Sequence, residues 1–134
     1  MEYNAVRTRN LYIPYEEAPF SLSRSKVELF IECPRCFYID RRNGTARPPV
    51  HPYNLNLAVD HLLKKEFDIY RLKGEAHPLM KKYDPHVLCF NHPELKSWRE
   101  NFVGIKYHHH DTNFVLTGAV DDLWVKDGNL IIVD

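Results

Sequence analysis

The hydrophobic pattern changes along the chain from a helical period to a period of two. In the first half, the segment SKVELFIEC begins with Ser25, and Glu28 follows three positions later, as in a capping box. We therefore expect a helix to start at Ser25. Pro34, which follows this segment, either restarts a helix at its first turn or kinks the existing one. The residues expected to face the core from the first helix are Val27, Phe30 and Ile31.

The clearest predicted helix begins at Asn54, which can cap it, and ends at Gly74. Two acidic residues interrupt its apolar face: Glu66 falls near the middle and Asp60 at the edge, whereas His61 points nearly opposite, into solvent. We expect the Glu66 carboxylate to reach solvent or a nearby Lys or Arg, with support of a metal site as the alternative. The apolar face itself comprises Leu55, Val59, Leu62, Leu63, Phe67 and Tyr70.

The second half of the chain indicates strands. Residues 77–93 are expected to connect elements, and a short helix follows with Pro93 at its start. From Val103 onward, β-branched and aromatic residues alternate with polar ones, which predicts at least three antiparallel strands. Helices followed by a β-meander indicate an α/β domain with α+β order, preceded by an extended or poorly ordered arm over residues 1–20. Gly44 and the RPPVHP run mark a loop.

The KDGN segment at residues 126–129 predicts a two-residue hairpin turn. If its outer residues pair, Asp121 lies directly opposite Asp134, with Cβ atoms roughly 5 Å apart. Like charges on an otherwise apolar face are destabilising unless one carboxyl group takes a proton or a cation lies between them. Hard carboxylate oxygens at this separation suit Mg²⁺ or Mn²⁺. The rest of this face comprises Ala119, Leu123, Val125, Leu130 and Ile132.

Two other arrangements of the acidic hairpin remain open. A one-residue slip in register would break the pairing of Asp121 with Asp134. Both acids would also be satisfied at a strand end exposed to solvent. Asp122 falls on the opposite face, across from Val133, and we do not expect it to bind a metal.

Composition limits the classes of protein that need to be considered. A chain of 134 residues with 44% hydrophobic and 13% aromatic residues can bury a core, which excludes a disordered chain. Eighteen basic and eighteen acidic residues cancel, so any footprint for a polyanion must be local. No apolar run is long enough for a membrane span, and the N-terminus does not resemble a secretory signal. Three cysteines without a secretory signature favour a reduced, cytoplasmic environment.

The acidic hairpin resembles the signature of the PD-(D/E)XK nuclease superfamily, especially RecB-like and CRISPR-associated exonucleases. In those enzymes a G-x-[IV]-D strand is followed by a hairpin and a hydrophobic strand that ends in acid-x-Lys. GAVD supplies Asp121 and LIIVD supplies Asp134, thirteen residues later. Such nucleases also carry a G-x-x-x-H helix whose His binds the metal. Aligning NLAVDHLLKKEFD places Asp60 at that position and Asn56 at the Gly, with His61 one residue out of step.

A third segment, SRSKVELFIECPRCFYIDRR, resembles the N-terminal motif of the same nucleases. In CRISPR-associated and AddB-type members, the cysteine at the place of Cys33 joins three C-terminal cysteines on an iron–sulfur cluster. The family's lysine, which belongs two residues beyond Asp134, is missing from this sequence, as are the downstream Gln/Tyr helix and the C-terminal cysteines. We therefore expect a catalytically incomplete N-terminal portion of a nuclease domain, from a truncated protein or a fragmentary gene.

The resemblance implies a restriction-endonuclease-like core over residues 21–134 and hydrolysis of DNA phosphodiester bonds with Mg²⁺ or Mn²⁺. Asp121 and Asp134 take the catalytic, metal-binding positions, and Asp60 is a further metal ligand. DNA is the implied partner, with other DNA-processing proteins as additional partners. Candidate contacts to the DNA backbone are Arg35, Arg41, Arg42, Lys64 and Lys65, although solvated surface charge is the alternative for each.

Two alternatives to a nuclease follow from the same sequence. One is a non-catalytic module that binds nucleic acid or protein with a degenerate nuclease fold. The other is a zinc-stabilised interaction domain, because Cys33-x-x-Cys36 and Cys89-x-x-His92 have the content and short spacings of a Cys₃His site. The histidines at 108–110 precede a predicted turn, where we expect a solvated hairpin tip rather than a metal site.

Overall fold

The computed structural model of this protein describes residues 6–48 and 54–133. The described residues group into two compact units. One unit contains residues 6–48 together with Lys106–Gly118, and the other contains residues 54–105 together with 119–133. Residues 6–20, the described part of the predicted arm, belong to the first of these units.

The described residues form a mixed α/β fold, as predicted. The helices are α1 (Arg24–Glu32), α2 (Pro34–Asn43), α3 (Asn54–Lys73), α4 (Pro78–Lys81) and α5 (Leu95–Trp98). The strands are β1 (Phe20–Ser23), β2 (Leu88–Cys89), β3 (Ile105–His109), β4 (Phe114–Gly118), β5 (Asp122–Lys126) and β6 (Asn129–Val133). Within the described ranges, no helix combines the length and the apolar character that crossing a membrane requires.

The strands do not form the single antiparallel meander that the alternation predicted. They form two three-stranded sheets, in the orders β1-β4-β3 and β2-β5-β6. Strand β1 pairs in parallel with β4, and β2 lies inside the segment expected to connect elements. Both strands were missed because they are very short, and only pairing with distant residues stabilises them.

In the first unit, helix α1 begins one residue earlier than expected. Ser23 occupies the N-cap position, and no side chain caps the helix, so the predicted capping box is wrong. The buried residue of α1 is Leu29, whereas Phe30 and Ile31 are exposed. Strand β1 runs directly into α1, and α1 packs against β1 and β4. The strand pairing therefore sets the helix rotation, which the apolar pattern of one helix does not determine.

Helix α2 begins at Pro34, which confirms the restart at a first helical turn. It ends at Gly44, whose φ of 73° is left-handed and whose added Cβ would lie 2.1 Å from the carbonyl oxygen of Arg7. The Arg7 amide donates to the Gly44 carbonyl at 3.0 Å, and the Tyr12 amide donates to the Arg41 carbonyl at 2.8 Å. The described part of the predicted arm is thus hydrogen-bonded to the end of α2.

The same end of α2 carries a buried ionic cluster around Asp40, which is 1% exposed. Its carboxylate lies 2.7 Å from Lys26 Nζ, 2.9 Å from Arg41 Nη2 and 3.3 Å from Arg7 Nη1. Burial alone would raise the pKa of Asp40, but the hydrogen bond from Lys26 and the charges of Arg41, Lys26 and Arg7 lower it below its usual range. Asp40 is therefore the ionised centre that holds three cations together.

In the second unit, α3 ends at Gly74 as predicted, with a left-handed φ of 68°. The residue that would cap α3 lies outside the described residues, and Asn54 is the first helical residue. The predicted apolar face is only partly correct: its N-terminal residues Leu55, Val59 and Leu62 are exposed. Burial is confined to the C-terminal half, where α3 packs against β2 and the Phe67 ring meets Trp124 edge-on at 5.4 Å.

The predicted register of the last hairpin is confirmed over residues 122–133. Lys126 pairs with Asn129 and Asp122 pairs with Val133. Asp121 directly precedes β5, while Asp134 lies outside the described residues, so the pairing of these two acids stays a prediction. On the expected apolar face Leu123 is buried, but Leu130 and Ile132 are exposed.

A buried ion pair joins α3 to β5. Arg71 Nη2 lies 2.5 Å from Asp122 Oδ1, and the two side chains are 5% and 2% exposed. Arg71 Nε donates to the Phe90 carbonyl at 2.7 Å, and Asp122 accepts from the Leu123 amide at 2.9 Å and from Trp124 Nε1 at 3.3 Å. These bonds satisfy both buried charges, and they hold the start of β5 against α3.

The Asp40 cluster leads to a first stability prediction. Asp40→Asn leaves the cations of Lys26 and Arg41 without their carboxylate, and we expect the free energy of unfolding to fall by about 3 kcal/mol. Urea unfolding followed by far-UV circular dichroism measures the change. Glu32→Gln is the control, because Glu32 forms an exposed pair with Arg47 and its loss should barely move the midpoint.

The lowered pKa of Asp40 also predicts how the stability of the protein depends on pH. The folded-state pKa of Asp40 is lowered, so its stabilisation is complete above the unfolded value of about 4 and is lost as pH falls through the folded value. The stability difference between the wild type and Asp40→Asn should therefore narrow below about pH 4. A difference that stays constant down to low pH would contradict this role.

The Arg71–Asp122 pair predicts a second result. Arg71→Met leaves a buried carboxylate unpaired and should lower the free energy of unfolding by about 3 kcal/mol, whereas Arg71→Met with Asp122→Leu should recover much of the loss. Both tryptophans, Trp98 and Trp124, belong to this unit, so their fluorescence reports its unfolding in urea. Lys126→Gln, at an ion pair with Asp84, is the control, and equal effects of Arg71→Met and the control would disprove the role.

Candidate functional site

The candidate site is an ionic cluster formed by Lys64, Asp60 and Asp121. Lys64 Nζ donates to Asp60 Oδ2 at 2.8 Å and to Asp121 Oδ1 at 3.0 Å. Asp60 and Lys64 lie one helical turn apart on α3, and Asp121 immediately precedes β5. One helix and one strand end therefore bring two carboxylates onto a single ammonium group.

The cluster is partly open to solvent. The Asp60 and Asp121 side chains are 46% and 49% exposed, and that of Lys64 is 21% exposed. Burial disfavours the charged form of Lys64, but its hydrogen bonds and ion pairs with Asp60 and Asp121 outweigh this and raise its pKa. At neutral pH the site is a protonated ammonium between two carboxylates that solutes can reach.

Asp60 and Asp121, both predicted metal ligands, thus accept hydrogen bonds from the same ammonium group, that of Lys64. Lys64 was predicted to contact DNA, and its ion pairs with the two acids were not anticipated. The spacing of Asp60 and Lys64 was an available local signal, because acid and base four residues apart on a helix commonly pair. The contact of Lys64 with Asp121 joins residues 57 positions apart, and no local signal predicts it.

The donor chemistry of this cluster fits a divalent metal. Asp60 and Asp121 offer hard carboxylate oxygens, which Mg²⁺ and Mn²⁺ prefer, and the two groups already converge on a positive charge. In the part of the chain that the structure describes, no group of three or more His, Cys, Asp or Glu side chains is placed to hold a metal. The described residues contribute two carboxylates, and Asp134 is the predicted third.

A basic cavity of about 550 Å³ adjoins the cluster through Lys64, which lines it. Arg99 pairs with Asp68 at 2.7 Å, and Arg71 also contacts Asp68. Positive charge exceeds negative charge in this lining, so the cavity suits an anion. The lining residues are His61, Lys64, Lys65, Asp68, Arg71, Asn91, His92, Pro93, Leu95, Lys96, Arg99 and Glu100.

Three cationic or potentially cationic residues of the cavity are exposed and have no ion pair with any described residue: His61, Lys65 and Lys96. Lys65 was predicted to face a phosphate, and His61 was predicted to point into solvent. Lys96 was missed, together with Arg99, because their sequence neighbourhood contains no recognisable pattern. Only the tertiary structure places α5 beside the Lys64–Lys65 segment.

Glu66 takes no part in the cluster. Its Oε1 lies 3.1 Å from Nε2 of the buried His77, although the pair is not aligned for a hydrogen bond. The His77 ring packs edge-on against Phe67 and Tyr70 at 4.8 and 4.9 Å, and its Nδ1 accepts from the Leu79 amide. The Glu66 side chain is 50% exposed, so its carboxylate reaches solvent, as expected, and the basic side chain beside it is a histidine instead of a Lys or Arg.

The three arginines predicted to contact DNA lie in the other unit and differ from one another. Arg41 is 3% exposed and paired with Asp40, so burial removes it from the surface on which a DNA contact was expected. Arg42 donates to the Tyr12 carbonyl at 2.6 Å, and Arg35 is exposed on α2. Arg41 and Arg42 line a cavity of about 470 Å³ with the rings of Tyr12, Phe20, Phe37, Tyr38 and Phe114.

The described residues do not assemble the predicted Cys₃His group. Cys33 and Cys36 belong to the first unit, and Cys89 and His92 to the second. Burial raises the pKa of the Cys89 thiol. The His92 ring stacks on Trp98 at 4.4 Å. A zinc site, and an iron–sulfur role for Cys33, stay predictions.

Hydrogen bonds connect His108 and His109, two of the three histidines at 108–110, to the adjacent turn. His108 Nε2 lies 3.0 Å from Asn113 Oδ1, and His109 Nδ1 lies 2.8 Å from Thr112 Oγ1. His108 and His109 are half-buried and only His110 is fully exposed, so the expectation of a solvated tip holds for one ring alone.

A scan against protein-family models finds no match for this chain, and searches of curated proteins and of solved structures find none either. The resemblance to PD-(D/E)XK nucleases therefore rests on its sequence motifs. The contacts of Lys64 with Asp60 and Asp121 do not depend on that resemblance.

Proposed function

We propose that this chain belongs to a Mg²⁺- or Mn²⁺-dependent nuclease that hydrolyses DNA phosphodiester bonds, as RecB-like exonucleases do. The convergence of Asp60 and Asp121 on Lys64 carries the proposal. The motifs select Asp60 and Asp121 as metal ligands, and the fold places these two residues together although they are 61 positions apart in the sequence. Two independent lines of reasoning thus select the same pair of carboxylates.

Asp60, Asp121 and Asp134 would hold the metal. A divalent ion bound there lowers the pKa of a water molecule and neutralises charge on the phosphate. The carboxylates already face a cation, so they are oriented toward a shared positive charge before any metal binds. Their partial exposure leaves room for a phosphate group to approach.

Lys64 supplies a positive group beside the two carboxylates. An ammonium has three N–H donors, and the two carboxylates accept two of them. The third donor is available to a water molecule or to a phosphate oxygen.

The basic cavity supports a polyanionic substrate. It begins at Lys64 and includes the exposed side chains of Lys65 and Lys96, which suit a phosphodiester backbone. The net charge of the chain is zero, so a surface that binds a polyanion has to be a local one. The excess of positive side chains in this cavity is such a surface. A strand bound in the cavity would place a phosphate beside Asp121.

A non-catalytic module that binds nucleic acid or protein is the second candidate. The same Lys64 contacts favour it, because an ammonium between the two carboxylates offsets part of their charge without a metal. DNA binding without cleavage in Mg²⁺ or Mn²⁺ would identify this alternative. Zinc content measured by elemental analysis decides the Cys₃His alternative.

Metal binding provides the direct test of the site. In calorimetric titrations with Mn²⁺, Asp121→Asn should weaken binding roughly tenfold or more, or about 1.4 kcal/mol. Lys64→Gln should bind Mn²⁺ more tightly than the wild type, because it removes a competing cation, yet cleave DNA more slowly.

Asp84→Asn is the matched control for metal binding, since Asp84 is an acid of the same unit paired with Lys126. It should bind Mn²⁺ like the wild type. Unchanged Mn²⁺ affinity in Asp121→Asn, with the fold intact by circular dichroism, would remove the metal site from the proposal.

The cavity predicts a salt-dependent interaction with DNA. Replacing Lys65 and Lys96 together with Gln should weaken binding of labelled oligonucleotides and reduce the slope of log affinity against log salt by about 1 for each lysine. Fluorescence anisotropy at several salt concentrations, with single- and double-stranded oligonucleotides, measures both effects.

The control for DNA binding is the pair Lys81→Gln and Lys82→Gln, two exposed lysines of the same unit that do not line the cavity. Their removal changes net charge equally and should change the salt slope little. If both double variants lower the slope by the same amount, the interaction is with overall charge, and the cavity is not the binding site.

A further inference from the structure

The CPRC segment places two cysteines in the first turn of α2. Cys33 is the N-cap residue with extended backbone, and Pro34 occupies the first turn. The Cys36 amide donates to Cys33 Sγ at 3.2 Å. The sulfur thus takes the place of the side-chain oxygen that usually caps a helix, and it faces the positive end of the α2 dipole.

A guanidinium group adds positive charge at the same place. Arg47 Nη1 pairs with Glu32 at 2.8 Å, and Glu32 directly precedes Cys33 in the chain. The hydrogen bond with Cys36 and the positive charge of Arg47 lower the pKa of Cys33, whereas burial raises the pKa of Cys89. The chain therefore contains an activated cysteine and an unactivated one.

The positions of the two thiols permit a bond between them. Cys33 Sγ lies 3.2 Å from the Cys36 amide nitrogen, so the two side chains are neighbours, and a rotamer change can bring the sulfurs together. Both cysteines are partly exposed, so a small molecule can reach them. Among residues 6–48 and 54–133, no further His, Cys, Asp or Glu completes a metal-ligating group with them.

We propose that Cys33 and Cys36 form a redox-active dithiol that exchanges with low-molecular-weight disulfides such as oxidised glutathione. The proposal concerns the first unit and does not depend on the nuclease function. Cys33 is the attacking residue, because its sulfur receives the helix N–H group, and Cys36 is the resolving residue.

The exchange proceeds in two balanced steps. The Cys33 thiolate attacks one sulfur of the disulfide, its S–S bond breaks, and one thiolate of the small molecule leaves. The Cys36 thiolate then attacks Cys33 Sγ in the mixed disulfide, forming the Cys33–Cys36 bond and releasing the second small thiolate. Two protein thiols are oxidised, one external disulfide is reduced to two thiols, and the protons pass through solvent to the released thiolates.

Peptide mass spectrometry tests this chemistry on the full chain. The reduced protein is exposed to oxidised glutathione, quenched with acid and alkylated with iodoacetamide. We expect the peptide with Cys33 and Cys36 to lose two hydrogens while Cys89 is alkylated. Cys36→Ser should stop at a mixed disulfide on Cys33, and Cys33→Ser should form an adduct on Cys36 at least about tenfold more slowly.

Arg47→Gln separates activation from simple exposure. It should slow formation of the Cys33 adduct by roughly three- to tenfold, because removing this positive charge raises the pKa of the thiol and reduces the fraction present as thiolate. Arg35→Gln is the control, because it also removes one positive charge. Arg35 lies between the two cysteines in the sequence, but among the described contacts it touches neither sulfur.

Three results would overturn the proposal. Adduct formation at Cys89 as fast as at Cys33 would show that the pair has no special reactivity. Failure to form the Cys33–Cys36 disulfide in protein that keeps its circular dichroism spectrum would show that the thiols do not couple. Zinc or iron bound in equal stoichiometry to the chain, and lost in Cys33→Ser, would assign the pair to a metal instead.

Discussion

The buried ion pair between Arg71 and Asp122 determines where the candidate site forms. Arg71 and Lys64 are seven residues apart on α3, so they lie two turns apart on the same side of the helix. Asp121 and Asp122 are neighbours in the chain. Arg71 holds Asp122, and the preceding carboxylate, Asp121, contacts Lys64, two helical turns before Arg71. A pair of adjacent acids is thus matched to two cations on one helix.

The two members of this acid pair differ in environment, and this difference separates structure from function. Asp122 is buried, accepts hydrogen bonds from Leu123 and Trp124, and has no freedom to bind a ligand. Asp121 is half-exposed and shares its cation with Asp60. Asp122, a buried charge whose hydrogen bonds are satisfied, stabilises the fold. Asp121, an exposed carboxylate whose ammonium partner can be displaced, is accessible to a metal or a phosphate. The neighbouring basic cavity gives such a phosphate a place to bind.

Helix α2 concentrates charge at both of its ends. In its first turn, the Cys36 amide donates to the sulfur of Cys33. Its last turn carries Asp40 and Arg41, with Arg7 and Lys26 completing the buried cluster. The positive groups at the end interact with the negative pole of the helix dipole, and the thiolate at the start interacts with the positive pole. The same helix therefore combines a structural ionic cluster with a reactive thiol pair.

Local signals in the sequence determined the helices α2 and α3, their ends at Gly44 and Gly74, and the register of the β5–β6 hairpin. Each depends on residues close together in the chain: a proline, a glycine with positive φ, or a two-residue turn. The motifs likewise selected Asp60 and Asp121. Only the tertiary structure decided the rotation of α1, the half of α3 that is buried, the division into two sheets, the burial of Arg41, and the contact of Lys64 with Asp121. These features join distant residues, and a pattern with a helical or strand period does not say which partner its face will meet.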